Sequence, residues 1–96
     1  MDQQNGANWT EERVIGILRE LANDNELPQH LAKGTIKGTD TVEYLGIDSI
    51  GAVVFLDRLE EEAGVQLADD FLGFGDSVGK IVMLMNSLKS NGEMNG

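Results

Sequence analysis

Residues 45–64 read LGIDSIGAVVFLDRLEEEAG, and this stretch decides the fold. When successive residues are set about 100° apart, as in an α-helix, five of its apolar residues fall on one stripe. The stripe comprises Ala52, Phe55, Leu56, Leu59 and Ala63. Gly64 follows, and glycine tolerates the left-handed conformation in which many helices end. The sequence therefore predicts an amphipathic helix from Ser49 to Ala63.

The opposite face of this predicted helix begins apolar and becomes acidic. Its members are Ile50, Val53, Val54, Asp57, Glu60 and Glu61. An apolar patch of this kind is either covered by a neighbouring loop or used for interaction. Residues 40–76 contain ten carboxylates and one cation, Arg58, so their net charge is 1 − 10 = −9. Because such crowding of one sign destabilises a fold, we predict these six residues to bind a partner.

Two further helices are predicted on either side. Spacing at i, i+3, i+4 and i+7 predicts a first helix near residues 9–22. Its apolar residues are Val14, Ile17, Leu18 and Leu21. Asn8 and Glu11 resemble a capping box in front of it. Asp76 or Ser77 can cap a last helix. The apolar face of that helix holds Val78, Ile81, Val82, Met85 and Leu88.

The connections between the helices carry weaker patterns. Residues 23–46 contain Pro28, glycines and threonines without a sustained period, which predicts a long loop. Residues 69–72 are predicted to form one short turn of helix, weakened by Gly73 and Gly75. The fold expected is all-α, with three main helices, a short third helix between the last two, and a long loop between helices one and two.

Length and composition limit the chain to one small domain. Its 96 residues support a single core, predicted at 9–89. The polar ends at 1–8 and 90–96 are predicted as flexible tails. Seven basic and 17 acidic residues give 7 − 17 = −10, a charge that disfavours nucleic acid and anionic membranes and favours basic partner proteins. The longest apolar runs, 52–56 and 81–85, are too short to span a bilayer. We predict a soluble, cytoplasmic monomer.

Ser49 stands where the central helix begins, directly after Asp48. A serine at such a position commonly caps the helix. The start of a helix also has free backbone N–H groups and the positive end of the helix dipole, which stabilise a phosphate attached there. Because the chain has no cysteine, any thioester chemistry must come from an added group. Both roles of Ser49 are open from these residues alone.

Residues 45–50, Leu-Gly-Ile-Asp-Ser-Ile, resemble the attachment motif Leu-Gly-x-Asp-Ser-Leu of the acyl carrier protein family. Residues 59–65, LEEEAGV, are similar to the family's LEEEFGI at the same spacing. Val78 and Gly79 fall where the family has Val-Gly at the opening of its last helix. The resemblance covers roughly residues 9–88.

The resemblance implies a four-helix bundle in which Ser49 receives 4'-phosphopantetheine from coenzyme A, through a magnesium-dependent phosphopantetheinyl transferase. By position, Asp48 assists the transferase and its metal. The thiol of the arm then carries acyl groups as thioesters to enzymes of fatty-acid, lipid or polyketide-type biosynthesis that have basic docking patches, and the chain is not itself an enzyme. An acyl pocket is predicted between the second helix and the short third segment. Its residues are Phe55, Leu59, Phe71 and Leu72.

Four positions depart from the family pattern. Gly51 and Val54 replace residues that are commonly acidic, Asp57 stands where a methionine often contributes to docking, and Ala63 replaces an aromatic residue. These departures leave attachment at Ser49 intact. They predict a specialised carrier with partners other than the usual enzymes of fatty-acid synthesis.

Two alternatives stay open. An aminoacyl or peptidyl carrier shares the serine and the fold but serves adenylating enzymes. An unmodified helical interaction domain would bind a basic protein through the acidic face. The spacing of Asp40, Glu43 and Asp48 does not match an EF-hand, so no resident metal is predicted.

Overall fold

The computed structural model describes residues 9–95, with side chains described for 9–88. Three α-helices form: α1 (Glu11–Asn23), α2 (Ser49–Ala63) and α3 (Val78–Asn95). A short 3₁₀ helix, Gln29–Ala32, lies between the first two. No strand forms in the part described, so the all-helical prediction is confirmed. No helix within that part is long and apolar enough to cross a membrane.

The apolar stripes of the three helices meet in one core. Its largest fully buried side chains are Phe55, Leu18, Leu21, Leu31, Leu59, Ile81, Met85, Val14, Val42 and Val78. Burying each large apolar side chain stabilises the fold by about 1.5–3 kcal/mol. The predicted stripes hold, although Ala52, Ala63, Val82 and Leu88 are partly buried rather than enclosed.

Helix α1 begins two residues later than the sequence indicates. Its N-cap is Thr10, whose hydroxyl accepts a hydrogen bond from the Arg13 N–H at 3.1 Å. The capping box was therefore the wrong prediction, and Asn8 lies outside the described residues. Trp9 joins this helix start to α3, because its N–H donates to Asn86 Oδ1 at 2.8 Å and its carbonyl accepts from Asn86 Nδ2 at 3.1 Å.

The long loop between α1 and α2 is held against α1 and against the start of α3. The Arg19 guanidinium donates to the carbonyls of Leu31 at 3.2 Å and Gly34 at 3.0 Å, which holds the 3₁₀ helix against α1. Farther along, an isolated antiparallel bridge pairs Thr41 with Ser77 just before α3. The end of the loop is thereby fixed beside the start of α3.

The segment between α2 and α3 is not the short helix that the sequence predicts. The N–H of Phe71 donates to Ala68 O at 3.0 Å, and this closes a single turn. One such bond does not offset the cost of ordering a helical nucleus. Gly73 and Gly75 follow, and glycine loses the most backbone freedom when it is ordered in a helix. The structure therefore has three α-helices and a turn in place of the fourth.

Helix α3 runs to Asn95, through most of the segment predicted as a C-terminal tail. The predicted tail at 1–8 lies outside the described residues. The boundaries of the folded domain at 9–89 stay a prediction.

Candidate functional site

The residue that caps α2 is Asp48, not Ser49. The Asp48 backbone is extended, and its Oδ1 accepts a hydrogen bond from the Gly51 N–H at 2.8 Å. Ser49 is the first residue of the helix and is exposed. Within the described part of the chain the Ser49 hydroxyl forms no hydrogen bond. Of the two roles left open for Ser49, the cap is therefore taken by Asp48, and the Ser49 hydroxyl is free for chemistry.

The loop before Asp48 is tightly held. Leu45 and Ile47 are buried, and between them Gly46 has φ +83°, a left-handed conformation that favours glycine. The Nε2 atom of His30 lies 3.0 Å from the Leu45 carbonyl oxygen, within hydrogen-bond distance. The 3₁₀ helix that carries His30 therefore helps to fix the loop that presents Ser49. This role of His30 could not be predicted from the sequence, since no local pattern joins it to residue 45.

Gly51 faces the interior rather than the docking surface. It is buried, and a Cβ atom there would lie 2.9 Å from Leu27 Cδ2 and 3.2 Å from Ile47 Cγ2. Real Cβ atoms essentially never lie within 3.0 Å of another heavy atom, so Leu27 would have to shift to make room. The interpretation that Gly51 removes a carboxylate from the docking face is therefore corrected. Glycine fits here because the Leu27 side chain occupies the space that a Cβ atom would need.

The six residues predicted to bind a partner divide into two groups. Ile50 is 76% exposed and Val53 is 59% exposed. Asp57 and Glu61 are also exposed on α2. The remaining two, Val54 and Glu60, are half-buried, and Val54 packs against the core. The outer face of α2 is therefore an apolar pair next to Ser49, followed by carboxylates.

Several of the carboxylates on α2 have partners inside the chain. Glu60 accepts a hydrogen bond from the Leu67 N–H at 2.8 Å. Glu61 Oε1 lies 3.5 Å from Arg58 Nε, and Arg58 also pairs with Glu20 of α1 at 3.0 Å. The single cation of residues 40–76 thus pairs with one carboxylate of α1 and one of α2, and the outer face of α2 keeps a net negative charge.

The residues predicted as an acyl pocket do not all line one space. Phe55 and Leu59 are fully buried in the core, whereas Phe71 and Leu72 are half-buried. A narrow cleft of about 30 Å³ lies between α2 and the segment before α3. It is lined by Val42, Ala52, Leu72, Gly73 and Phe74. Of the four predicted residues, only Leu72 lines this cleft.

A wider groove, of about 330 Å³, opens on the other side of the start of α2. It is lined by residues 25–29 together with Gly46, Asp48 and Gly51. This groove could not be predicted from the sequence because residues 25–29 carry no periodic pattern. Among residues 9–95, no three histidines, cysteines or carboxylates come together as a group that would hold a metal ion.

Comparison with protein families agrees with this geometry. The family model described as "phosphopantetheine attachment site" matches residues 12–83. This is well over half of the chain, so the protein belongs to that family and is a carrier to which 4'-phosphopantetheine is attached covalently. The resemblance to acyl carrier proteins is thereby confirmed at the level of the carrier domain. No significant match was found among curated proteins or among solved structures.

The start of α2 fits such a group. The Ser49 hydroxyl is exposed and unbonded, and the N–H groups of Ser49 and Ile50 have no acceptor within the described residues. A phosphodiester on that hydroxyl would meet these N–H groups and the positive end of the helix dipole. The arm supplies the thiol that the chain lacks, since no cysteine occurs in the sequence. Carrier domains of this family interact with a phosphopantetheinyl transferase and with acyl-handling enzymes, and they are generally non-catalytic.

Proposed function

We propose that Ser49 is the attachment site and that the chain is an acyl carrier protein. It holds acyl intermediates as thioesters on the 4'-phosphopantetheine arm and delivers them to enzymes of fatty-acid, lipid or polyketide-type biosynthesis. One observation carries the proposal. Ser49 is the exposed first residue of α2, and Asp48 caps the helix in its place, so the Ser49 hydroxyl is available.

Asp48 has two tasks in this proposal. Its Oδ1 caps α2 by accepting from the Gly51 N–H, which orients the first turn that presents Ser49. Its Oδ2 makes no hydrogen bond within the described residues and is free to face the transferase and its magnesium. Carboxylate oxygens are the ligands that Mg²⁺ prefers.

Partner enzymes dock on the outer face of α2 in this proposal. Ile50 and Val53 provide exposed apolar area, half-buried Val54 extends it toward α1, and Asp57, Glu60 and Glu61 extend it with negative charge. Complementary charge raises association rates and suppresses wrong partners. Acidity favours an acyl carrier with basic partners over an aminoacyl or peptidyl carrier. Cytoplasmic location and a monomeric state remain predictions.

The acyl chain is proposed to enter beside α2, at the cleft lined by Leu72. Leu72 is the predicted pocket residue that lines this cleft. The cleft at Leu72 is narrow, so the chain enters when the segment before α3 moves outward. Phe71 and Leu72 are half-buried and move with that segment, which exposes the buried faces of Phe55 and Leu59. Gly73 and Gly75 give the segment the conformational freedom to do so.

The proposal is tested by incubating the protein with coenzyme A, Mg²⁺ and a broad-specificity phosphopantetheinyl transferase, and then measuring the intact mass. Wild type is expected to gain one arm, and Ser49→Ala none. Ser87→Ala is the matched control, because Ser87 is also an exposed helical serine, and it should be modified like wild type. A modified Ser49→Ala variant would refute attachment at Ser49. A wild type that gains no arm would favour the unmodified interaction domain.

A further inference from the structure

The groove of about 330 Å³ beside the start of α2 lies on the side of the loop that follows α1. One of its walls consists of Gly46, Asp48 and Gly51. Gly46 and Gly51 have no side chains, so Asp48 contributes the only side chain of this wall. Ser49 follows Asp48 directly, and an arm attached to its hydroxyl therefore starts beside the groove.

The opposite wall of the groove combines apolar and amide groups. Leu27 and Pro28 supply apolar surface, and Asn25 and Gln29 supply side-chain amides. Gln29 Nε2 donates to Asn25 Oδ1 at 2.8 Å, which holds the Asn25 side chain in place. Donors of this wall that have no acceptor within the described residues include Asn25 Nδ2 and the Leu27 N–H. The wall thus suits a ligand with amide carbonyls and small apolar groups.

The charge of the groove limits which part of the arm it can hold. Glu26 and Asp48 both line it, and their carboxylates repel a phosphate. The phosphodiester therefore stays at the start of α2, outside the groove. Beyond its phosphate the arm is neutral and carries a pair of methyl groups, a hydroxyl, amide groups and the terminal thiol. This neutral portion matches the apolar and amide groups of the wall.

The cleft on the other side of α2 does not offer the same space. Its volume is about 30 Å³, which is roughly the share of one water molecule in the liquid. An arm enters this cleft only if the segment before α3 moves outward. A long acyl chain offsets that displacement by burying apolar area. An arm with a free thiol has amide groups in place of such a chain and buries less apolar area.

We infer that the groove is the resting site of the arm while its thiol carries no acyl group. Leu27 and Pro28 pack against the methyl groups of the arm, and the Asn25 side chain donates to one of its amide carbonyls. An acyl chain that enters the cleft at Leu72 withdraws the arm from the groove, so the two sites are occupied in turn. The inference rests on the proposed function and adds a second site to it.

The test follows backbone N–H signals by ¹⁵N NMR before and after a broad-specificity phosphopantetheinyl transferase attaches the arm from coenzyme A with Mg²⁺. The signals of Asn25 and Leu27 should shift, although both residues are far from Ser49 in sequence. The signals of Gly73 and Phe74, which line the cleft, should not shift. Ser49→Ala, treated in the same way, controls for effects of the transferase and should show no change.

Two variants that add the same charge test the contact at Asn25. Asn25→Asp keeps the oxygen that accepts from Gln29 but removes the free N–H donor, and aspartate tolerates the left-handed backbone at φ 65°. Asn23→Asp adds its charge two residues away, at an exposed position that does not line the groove. Asn25→Asp should lower the equilibrium constant for arm binding in the groove by about two- to tenfold, as expected for one hydrogen bond. Asn23→Asp should leave the Leu27 shift close to that of wild type.

Transfer from octanoyl-coenzyme A in place of coenzyme A completes the test. The Leu27 signal should then return toward its position in the unmodified protein, while Gly73 and Phe74 shift. Shifts that stay confined to the start of α2, equal effects of the two variants, or a Leu27 shift that persists after octanoyl transfer would overturn the inference while leaving the proposed function intact. A wild type whose mass shows no arm would instead refute the proposed function.

Discussion

The chain contains two Asp-Ser pairs, Asp48-Ser49 and Asp76-Ser77, and each stands at the start of a helix. At α2 the aspartate caps the helix and the serine is its exposed first residue. At α3 the serine hydroxyl accepts from the Lys80 N–H at 3.1 Å, while the aspartate accepts from the Gly73 N–H at 2.9 Å. Helix α2 begins at the serine of its pair, whereas α3 begins one residue after the serine. This difference decides which serine hydroxyl is free. The dipeptide alone does not define an attachment site.

The largest effect is expected at Gly51, the third residue of α2, with Lys80, the third residue of α3, as the comparison. Gly51 of α2 is buried against Leu27, whereas Lys80 of α3 is exposed. Gly51→Asp places an unpaired carboxylate and extra volume in the interior, which should destabilise the fold by about 3 kcal/mol or more. Lys80→Asp should change the free energy of unfolding by less than about 1 kcal/mol. Chemical denaturation followed by circular dichroism measures both.

From the residue pattern alone, Gly51→Asp is expected to add a docking contact, whereas the structure predicts that it destabilises the fold. A Gly51→Asp variant as stable as wild type would show that Leu27 moves aside at little cost, and the carboxylate would then be available to a partner.

Loss of a capping side chain should have an intermediate effect on the free energy of unfolding. Asp48→Ala and Ser77→Ala each remove a side chain that accepts from the third N–H of a helix, and each should lower the free energy of unfolding by about 0.5–2 kcal/mol. Ser49→Ala removes a hydroxyl without a partner and should change it by less than about 0.5 kcal/mol. Thermal and chemical unfolding of the three variants provide the check. If Ser49→Ala destabilised the protein as much as Asp48→Ala, the assignment of the cap would be wrong.

The smallest effect is expected from the negative charge around the two Asp-Ser pairs. Residues 40–76 carry a net charge of 1 − 10 = −9, so the rate of arm transfer to Ser49 should fall as salt rises from about 0.05 to about 0.5 M. Asp69 and Asp70 are exposed and unpaired among the described residues, so a double change to asparagine should flatten this dependence slightly. A rate that does not vary with salt would contradict electrostatic steering.

Local patterns were sufficient to predict the three main helices. The apolar stripe and Gly64 predicted the bounds of α2, and these are observed, with Gly64 in the left-handed conformation at φ +74°. Such features depend on residues within one or two turns of each other, which a periodic pattern captures.

Features that depend on distant residues were missed. The direction of Gly51 is set by Leu27, and the loop before Ser49 is held by His30. The bridge between Thr41 and Ser77 joins residues far apart in sequence. The identity of the cap was missed for another reason: both residues of an Asp-Ser pair are good N-caps, so the sequence does not decide between them.

The most direct test of the account is to locate the arm after modification. Cleavage after Lys37, Arg58 and Lys80 releases peptides 38–58 and 59–80, which contain Ser49 and Ser77 respectively and no other serine. Tandem mass spectrometry of the modified protein should find the 4'-phosphopantetheine on peptide 38–58, at Ser49, and peptide 59–80 unmodified. An arm on Ser77, or on neither peptide, would contradict the account.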